Sequence, residues 1–121
     1  MSAESRPVEP ARIEPLEEIV QRGQVWPRMA AKWGVENPVP PWKTSLDGMC
    51  DALDRASCDE NIPSFKERRD EEDALSATLY ADLPYPENQL MSLAHSLVAR
   101  GVIDEAELKQ RLASIRARLE A

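Results

Sequence analysis

The sequence predicts an all-α protein in which an extended, proline-rich N-terminal arm precedes a small helical domain. Three observations support this fold class. Apolar residues repeat at helical spacing after residue 41, residues that cap helices precede two of these repeats, and no stretch alternates in the manner of a β-strand. With 121 residues, the chain is long enough for one small domain, which we place at residues 42–121.

Residues 1–41 are predicted to form the arm. Seven of the ten prolines lie here, and each removes a backbone donor and restricts φ. Two short helices are expected, one in LEEIVQRGQVW before Gly23 and one at residues 29–34. The arm also carries apolar side chains that a solvated tail lacks, namely Ile13, Leu16, Ile19, Val20, Val25, Trp26 and Trp33. It is either a flexible extension or, in our preferred interpretation, a segment that wraps a partner subunit.

About four helices are predicted in the domain. The first runs from about Trp42 to Ala56. Its apolar face is formed by Trp42, Leu46, Met49, Cys50 and Leu53. The second, from about Phe65 to Leu75, is short and mostly charged. It begins with a capping box, because Ser64 precedes Glu67 by three residues.

An antiparallel helical hairpin is predicted to follow an extended crossing segment at residues 76–86. The third helix starts at Pro86, which suits a first helical turn, and ends at Gly101. Asp104 and Glu107 form a second capping box at the start of the fourth helix. The connection is short, so the leucine stripes of the two helices are expected to face each other or a shared partner.

Composition and charge exclude several classes of function. The net charge of −7 and the pI of 4.8 disfavour binding to nucleic acid or to an acidic lipid surface. No apolar run is long enough to cross a membrane, and the first residues lack the pattern of a secretory signal. We therefore expect a cytoplasmic protein. Aromatic residues make up only 5% of the chain, and so thin a core suggests a partner.

No catalytic or metal site is predicted within this chain. On one helix, Cys50 and Cys58 would be roughly 12 Å apart at ~1.5 Å per residue, beyond the ~4.4–6.8 Å of a disulfide, so both are expected to be free thiols. The single histidine, His95, is expected to be structural or solvent-facing, since no nucleophile accompanies it in its segment. The paired carboxylates are interpreted as helix surface and caps.

Two adjacent arginines form the strongest candidate for a contact site. Arg68 and Arg69 lie near the start of the second predicted helix. A guanidinium donates hydrogen bonds in a planar fork that suits carboxylates and oxyanions of another molecule. The alternative is pairing along the helix with Glu72 or Asp73.

The order of these segments resembles the helical N-terminal part of the β subunit of nitrile hydratase and, more closely, of thiocyanate hydrolase. The corresponding segments are PPWKTSLDGMCDAL, FKERRDEE, TLYADLPYP and LMSLAHSLVARGVIDEAEL, and the resemblance covers about 80 of the 121 residues. It implies a non-catalytic subunit of a nitrile-hydrating lyase, part of a hetero-oligomer. In this family the α subunit holds Co(III) or Fe(III) in a Cys-x-x-Cys-Ser-Cys claw with two oxidised cysteines.

By this resemblance, the chain would cover the metal pocket of the α subunit and shape its substrate channel. Arg68 or Arg69 matches the family arginine that hydrogen-bonds the oxidised cysteine ligands. The aromatic side chains are expected to form the partner interface: Trp26, Trp33, Trp42, Tyr80 and Tyr85.

The family's β subunit continues into a β-barrel domain, whereas this sequence stops at Ala121. Either a separate polypeptide supplies the barrel, or the chain is the related helical activator that delivers metal to the α subunit. We favour the subunit because of the tryptophan-bearing arm. A stand-alone helical interaction module is the third possibility, and the substrate, the metal and the stoichiometry stay open.

Overall fold

The computed structural model describes residues 11–56 and 62–120, and these ranges contain six α-helices and no strand. The helices are α1 (Glu14–Arg22), α2 (Trp26–Lys32), α3 (Lys43–Arg55), α4 (Phe65–Ser76), α5 (Glu87–Ala99) and α6 (Glu105–Glu120). The all-α fold class is therefore confirmed for the described chain. Helices α3 to α6 agree with the four helices predicted after residue 41 to within one or two residues.

Local sequence signals account for several helix ends. At α4, the Ser64 side chain accepts a hydrogen bond from the Glu67 backbone amide at 3.2 Å, and the Glu67 carboxylate accepts one from the Ser64 amide at 2.9 Å. This reciprocal pair is the predicted capping box. At α6, Asp104 accepts a bond from the Glu107 amide at 2.9 Å. Gly101 follows α5 with a φ of +77°, a left-handed conformation that favours glycine at this position.

Helix α5 lies at the centre of the protein because it contributes to both hydrophobic clusters. The first cluster joins α1, α4, α5 and the segment after α4, through Ile13, Leu16, Leu75, Tyr80 and Met91. The second joins α3 to α5 through Leu46, Leu93 and Leu97. Trp42, Cys50 and Leu53 pack against the second cluster, whereas Met49 is exposed. The predicted apolar face of α3 is thus confirmed except at Met49.

The N-terminal segment is not entirely an extended arm. Residues 1–10 lie outside the described residues, but Ile13 and Leu16 are buried in the first cluster. Helix α1 contacts both α5 and α6. The physical reason is that α1 covers apolar surface of α5 that would otherwise face water. Helix α1, which the sequence analysis assigned to the extended arm, therefore packs on the domain, while residues 31–39 are all exposed.

A further expectation about the C-terminal half is corrected. The segment after α4 is not extended but forms successive turns, in which the amides of Thr78, Tyr80 and Leu83 bond to carbonyls three to five residues earlier. Helix α5 packs mainly on α4, whereas α6 contacts α1, so the leucine stripes of α5 and α6 do not face each other along their length. That they face a shared partner stays a prediction. In the described chain, no helix has the length and apolar character needed to span a membrane.

Candidate functional site

Arg68 is buried between α3 and α4. Its Nη2 bonds to the Asp54 carboxylate near the end of α3, and its guanidinium carbon lies 5.6 Å from the centre of the Phe65 ring. Its Nε is enclosed and has no hydrogen-bond partner among the residues that the structure describes. Arg68 therefore forms its ion pair with a residue of another helix. The structure shows this pair in place of the predicted alternative, an ion pair with Glu72 or Asp73 along α4.

Arg69 occupies the adjacent position of α4 but is exposed. Within the described ranges, neither a hydrogen bond nor an ion pair involves its guanidinium. The nearby Glu72 has a raised pKa because burial and the charge of Asp73 disfavour its carboxylate, and the positive charges of Arg69 and Arg68 oppose this shift. Of the two candidate arginines, only Arg69 presents its donors to solvent.

An ion pair that the sequence analysis did not predict joins α4 to the end of α5. Glu71 is buried, and its Oε2 accepts a bond from Nη2 of Arg100. The other carboxylate oxygen, Oε1, and the Arg100 Nε are enclosed, and neither has a hydrogen-bond partner in residues 11–56 and 62–120. The spacing of residues could have indicated that Glu71 is buried. It lies three residues after Arg68 and seven residues after Ser64, on the face that α4 buries.

Tyr80 belongs to the core and not to a partner interface. It exposes 3% of its surface, and its hydroxyl lies 2.8 Å from Nδ1 of the fully buried His95. The two rings meet edge to face with centroids 5.7 Å apart. Burial, assisted by the charge of Glu17, raises the pKa of Tyr80 to about 12. The interface role predicted for Tyr80 is therefore corrected, since a buried aromatic ring with a bonded hydroxyl has no surface left for a partner.

Two of the predicted interface tryptophans, Trp26 and Trp42, line one cleft with a volume of about 440 Å³. The backbone amide of Trp26, at the start of α2, donates to Oε2 of the buried Glu87. The indole Nε1 of Trp26 donates to the backbone carbonyl of Asn37 at 2.7 Å. The structure thus brings together two residues that are 16 positions apart in the sequence.

The other two predicted interface aromatics, Trp33 and Tyr85, are exposed at separate places. Trp33 is 71% exposed, and the Lys32 ammonium lies 5.5 Å from its ring centre. Tyr85 is 65% exposed, with the Lys43 ammonium at the same distance. A cation over an aromatic ring is weakly attractive at exposed sites. Both rings keep most of their surface available for another molecule.

The described residues contain no group of three or more His, Cys, Asp or Glu side chains that could hold a metal ion. Cys50 is a half-buried free thiol, and burial raises its pKa above the ordinary value. Cys58 lies outside the described residues, so the relation predicted between the two thiols is not tested.

These observations define a class: a small helical domain whose described residues display aromatic and guanidinium groups. Comparison with protein families is more specific. The family model described as nitrile hydratase beta subunit, N-terminal, matches residues 23–121. The chain therefore belongs to this family, and the resemblance to the helical N-terminal part of the nitrile hydratase β subunit is confirmed. Neither the comparison with curated proteins nor that with solved structures gives a match.

The family match begins inside the segment that the sequence analysis assigned to the arm. It includes α2 to α6, the candidate arginines and most of the cleft, but neither α1 nor the two lining residues that α1 supplies, Ile19 and Arg22. Helix α1 nevertheless supplies Ile13 and Leu16 to the core. The folded unit of the structure thus extends to the N-terminal side of the matched residues.

Proposed function

We propose that this chain is a non-catalytic β-type subunit of a nitrile hydratase-like or thiocyanate hydrolase-like metalloenzyme. The observation that carries the proposal is the family match over residues 23–121. Co(III) or Fe(III) would be held by a separate α subunit, and this chain would pack on that subunit as part of a hetero-oligomer.

Exposed apolar side chains support a role in assembly. Besides Trp33 and Tyr85, the exposed large apolar residues include Val35, Val39, Phe65 and Leu119. Contiguous apolar surface on a small protein commonly marks a place where another protein binds. Val35 and Val39 lie with Trp33 in the exposed stretch of residues 31–39, which is the part of the predicted arm that remains available for wrapping a partner.

Arg69 is the residue that we propose contacts the active site of the partner. An oxidised thiolate ligand is an anion with acceptor oxygens, and a guanidinium fork can hold two of them in a fixed geometry. Arg69 is exposed and has its donors available. Arg68 is held by Asp54 and supports α4 against α3, so its role in this proposal is to position the helix that carries Arg69.

The assembly proposal is tested by expressing the chain together with an α subunit that carries a Cys-x-x-Cys-Ser-Cys motif. A subunit remains bound to the metal-containing partner through gel filtration. A metal-delivering activator exchanges and is recovered largely without the mature enzyme, and a stand-alone module elutes alone. Recovery in either of the last two forms contradicts the subunit proposal.

The arginine proposal is tested with Arg69→Lys in the assembled enzyme. Lysine keeps the charge but loses the fork, and a hydrogen bond to a charged group contributes about 1.5–3 kcal/mol. We expect unchanged assembly and at least a roughly tenfold loss of turnover. Arg55→Lys, at an exposed position in the last turn of α3, is the matched control and should behave as the unmodified protein.

Arg68→Lys separates support from direct contact. Because Arg68 is buried and paired with Asp54, this variant should lower the Tm of the chain itself, which Arg69→Lys should not. Unchanged turnover in both lysine variants would remove the arginines from the active-site proposal.

A further inference from the structure

The cleft that contains Trp26 and Trp42 is bordered by α1, α2, α5 and α6, and most of its lining is apolar. Ile19, Met29, Leu90 and Met91 complete the apolar wall. A volume of about 440 Å³ lies within the range of roughly 300–1,000 Å³ that is usual for ligand-binding clefts. The cleft is thus large enough to receive bulky apolar side chains from another molecule.

Two arginines give the cleft a positive charge in an otherwise acidic protein. Arg22, the last residue of α1, and Arg116 of α6 both line it. Among the residues that the structure describes, neither arginine has a hydrogen bond or an ion pair, whereas seven other basic side chains are paired with carboxylates. Within the described chain, two guanidinium groups without an ion pair therefore stand beside an apolar cleft, although the net charge of the protein is −7.

Glu87 is the one acidic residue among the described residues that line the cleft. Its carboxylate contacts other protein atoms and does not face the open space of the cleft. Its Oε2 accepts the Trp26 amide at the first residue of α2, where a negative charge is favourable. Its Oε1 is enclosed by protein atoms. A molecule entering the cleft therefore meets the guanidinium groups and the apolar wall rather than the Glu87 oxygens.

From this combination we infer that the cleft is a docking site for an apolar segment of a partner subunit that carries a carboxylate beside its apolar side chains. The apolar side chains fill the space between Trp26 and Trp42. The carboxylate accepts charge-assisted hydrogen bonds from Arg22 and Arg116. The partner's identity as a subunit rests on the proposed function, whereas the chemistry of the docking segment rests on the cleft residues alone.

The test uses the full chain and two acetylated peptides of leucine and alanine that differ at one position, glutamate in one and lysine in the other. Binding is followed by NMR through the indole N–H signals of the three tryptophans. Trp33 lies outside the cleft and serves as an internal reference. We expect the glutamate peptide to shift the signals of Trp26 and Trp42 but not of Trp33, and to bind at least about tenfold more tightly than the lysine peptide.

A double variant, Arg22→Gln with Arg116→Gln, should abolish the preference for the glutamate peptide. The matched control is Arg55→Gln with Arg118→Gln, which changes the net charge equally at residues outside the cleft. Neither cleft arginine has a bonding partner in the described chain, so both double variants should keep the Tm of the unmodified protein. If the two double variants bind the glutamate peptide with equal affinity, the inference that Arg22 and Arg116 recognise a carboxylate is overturned.

Other occupants of the cleft give different results, and each overturns the inference. Equal affinity for the two peptides would identify an apolar patch without charge selection. Contacts in the free chain between the cleft tryptophans and residues 1–10 would identify its own N-terminal segment as the occupant. Self-association that the cleft double variant abolishes would identify a second copy.

Failure of the inference can be distinguished from failure of the proposed function. A chain that elutes with the α subunit but shows no peptide preference keeps the proposed function and loses the docking cleft. A chain that elutes alone but prefers the glutamate peptide keeps the cleft and loses the assignment of its partner to the α subunit.

Discussion

Helices α5 and α6 follow one another in the chain and share a leucine repeat, yet they are buried to opposite extents. Seven residues of α5 are buried, and none of the residues of α6 is. Helix α5 packs on α4, α1 and Leu46 of α3, whereas α6 contacts mainly α1. A repeat of leucines shows that one face of a helix is apolar, but it does not show which element, if any, covers that face.

The buried helix also carries polar side chains into the core. Ser92, His95 and Ser96 of α5 are all nearly inaccessible, and Ser92 lies 3.3 Å from the Ser76 hydroxyl of α4. On α6, Leu119 is 80% exposed. Helix α5 contains one charged residue, Glu87, whereas α6 contains seven, so burial follows the charge content of each helix as well as its position relative to α1 and α4.

The largest expected effect is a difference in the free energy of unfolding when the same substitution, leucine to alanine, is made in α5 and in α6. Leu97→Ala removes a buried side chain of α5 from the second cluster and should lower the free energy of unfolding by about 2–5 kcal/mol. Leu119→Ala, the matched change on α6, should alter it by less than about 0.5 kcal/mol. Urea unfolding of the isolated chain measures both. Similar losses in the two variants would show that α6 is covered in solution and would end the comparison.

The second effect tests the polar part of the α5 core. Tyr80→Phe removes the hydroxyl that lies 2.8 Å from His95 Nδ1 and should cost about 1–3 kcal/mol, because a buried polar atom then loses a partner. Tyr85→Phe is the matched control, since the ring of Tyr85 is exposed, and it should leave the stability unchanged. Equal stability of the two variants would mean that the Tyr80 hydroxyl contributes nothing to the fold.

The same tyrosine predicts a dependence on alkaline pH. Burial raises its pKa from 10.0 to about 12, so the folded state retains the phenol proton more strongly than the unfolded chain. The resulting stability is complete below pH 10 and is lost as the pH rises towards 12. Because burial also raises the Cys50 pKa, the measurement uses a Cys50→Ala background. In that background, Tyr80→Phe should reduce the decrease in the free energy of unfolding between pH 10 and 12. An equal decrease with and without the tyrosine would contradict the raised pKa of Tyr80.

The positions of the helices in the sequence were predictable from local signals, whereas the elements that pack against each helix were not. The Ser64 capping box, Gly23 and Gly101 mark helix ends that the structure confirms. In contrast, the packing of Ile13 and Leu16 against Tyr80 joins residues more than 60 positions apart. No local periodicity contains that contact. The turns at residues 77–83 differ, because their hydrogen bonds span only three to five residues, and it is the prolines at the end of the segment that favour an extended interpretation.

The site was predictable to a similar degree. Residue type alone singled out Arg68 and Arg69, but only the fold shows that Asp54 holds Arg68 and that Arg69 is exposed. The cleft depends on α1, α2, α5 and α6 together. Arg22 and Arg116 come from opposite ends of the sequence and had no signal other than their charge.

The smallest expected effect concerns the junction that ties α6 to the body of the protein. Lys109 of α6 and Glu14 of α1 form an ion pair in which both side chains are about half exposed. Exposed pairs of this kind contribute little to global stability, so Lys109→Ala should leave the urea midpoint unchanged. It should instead accelerate amide hydrogen exchange in α6, because local opening of a weakly held helix needs only its few contacts to break.

Arg111→Ala is the matched control, because Arg111 pairs with Glu107 inside α6 itself and its loss does not detach α6 from α1. Both variants introduce the same strong helix former, so a difference in exchange between them reports the junction alone. High salt should reduce that difference, since exposed charges are screened. If α6 exchanges as slowly as α5 in the unmodified chain, then contacts with α1 already hold it as firmly as the core holds α5, and its exposed Ile115 and Leu119 need no partner to fix their position.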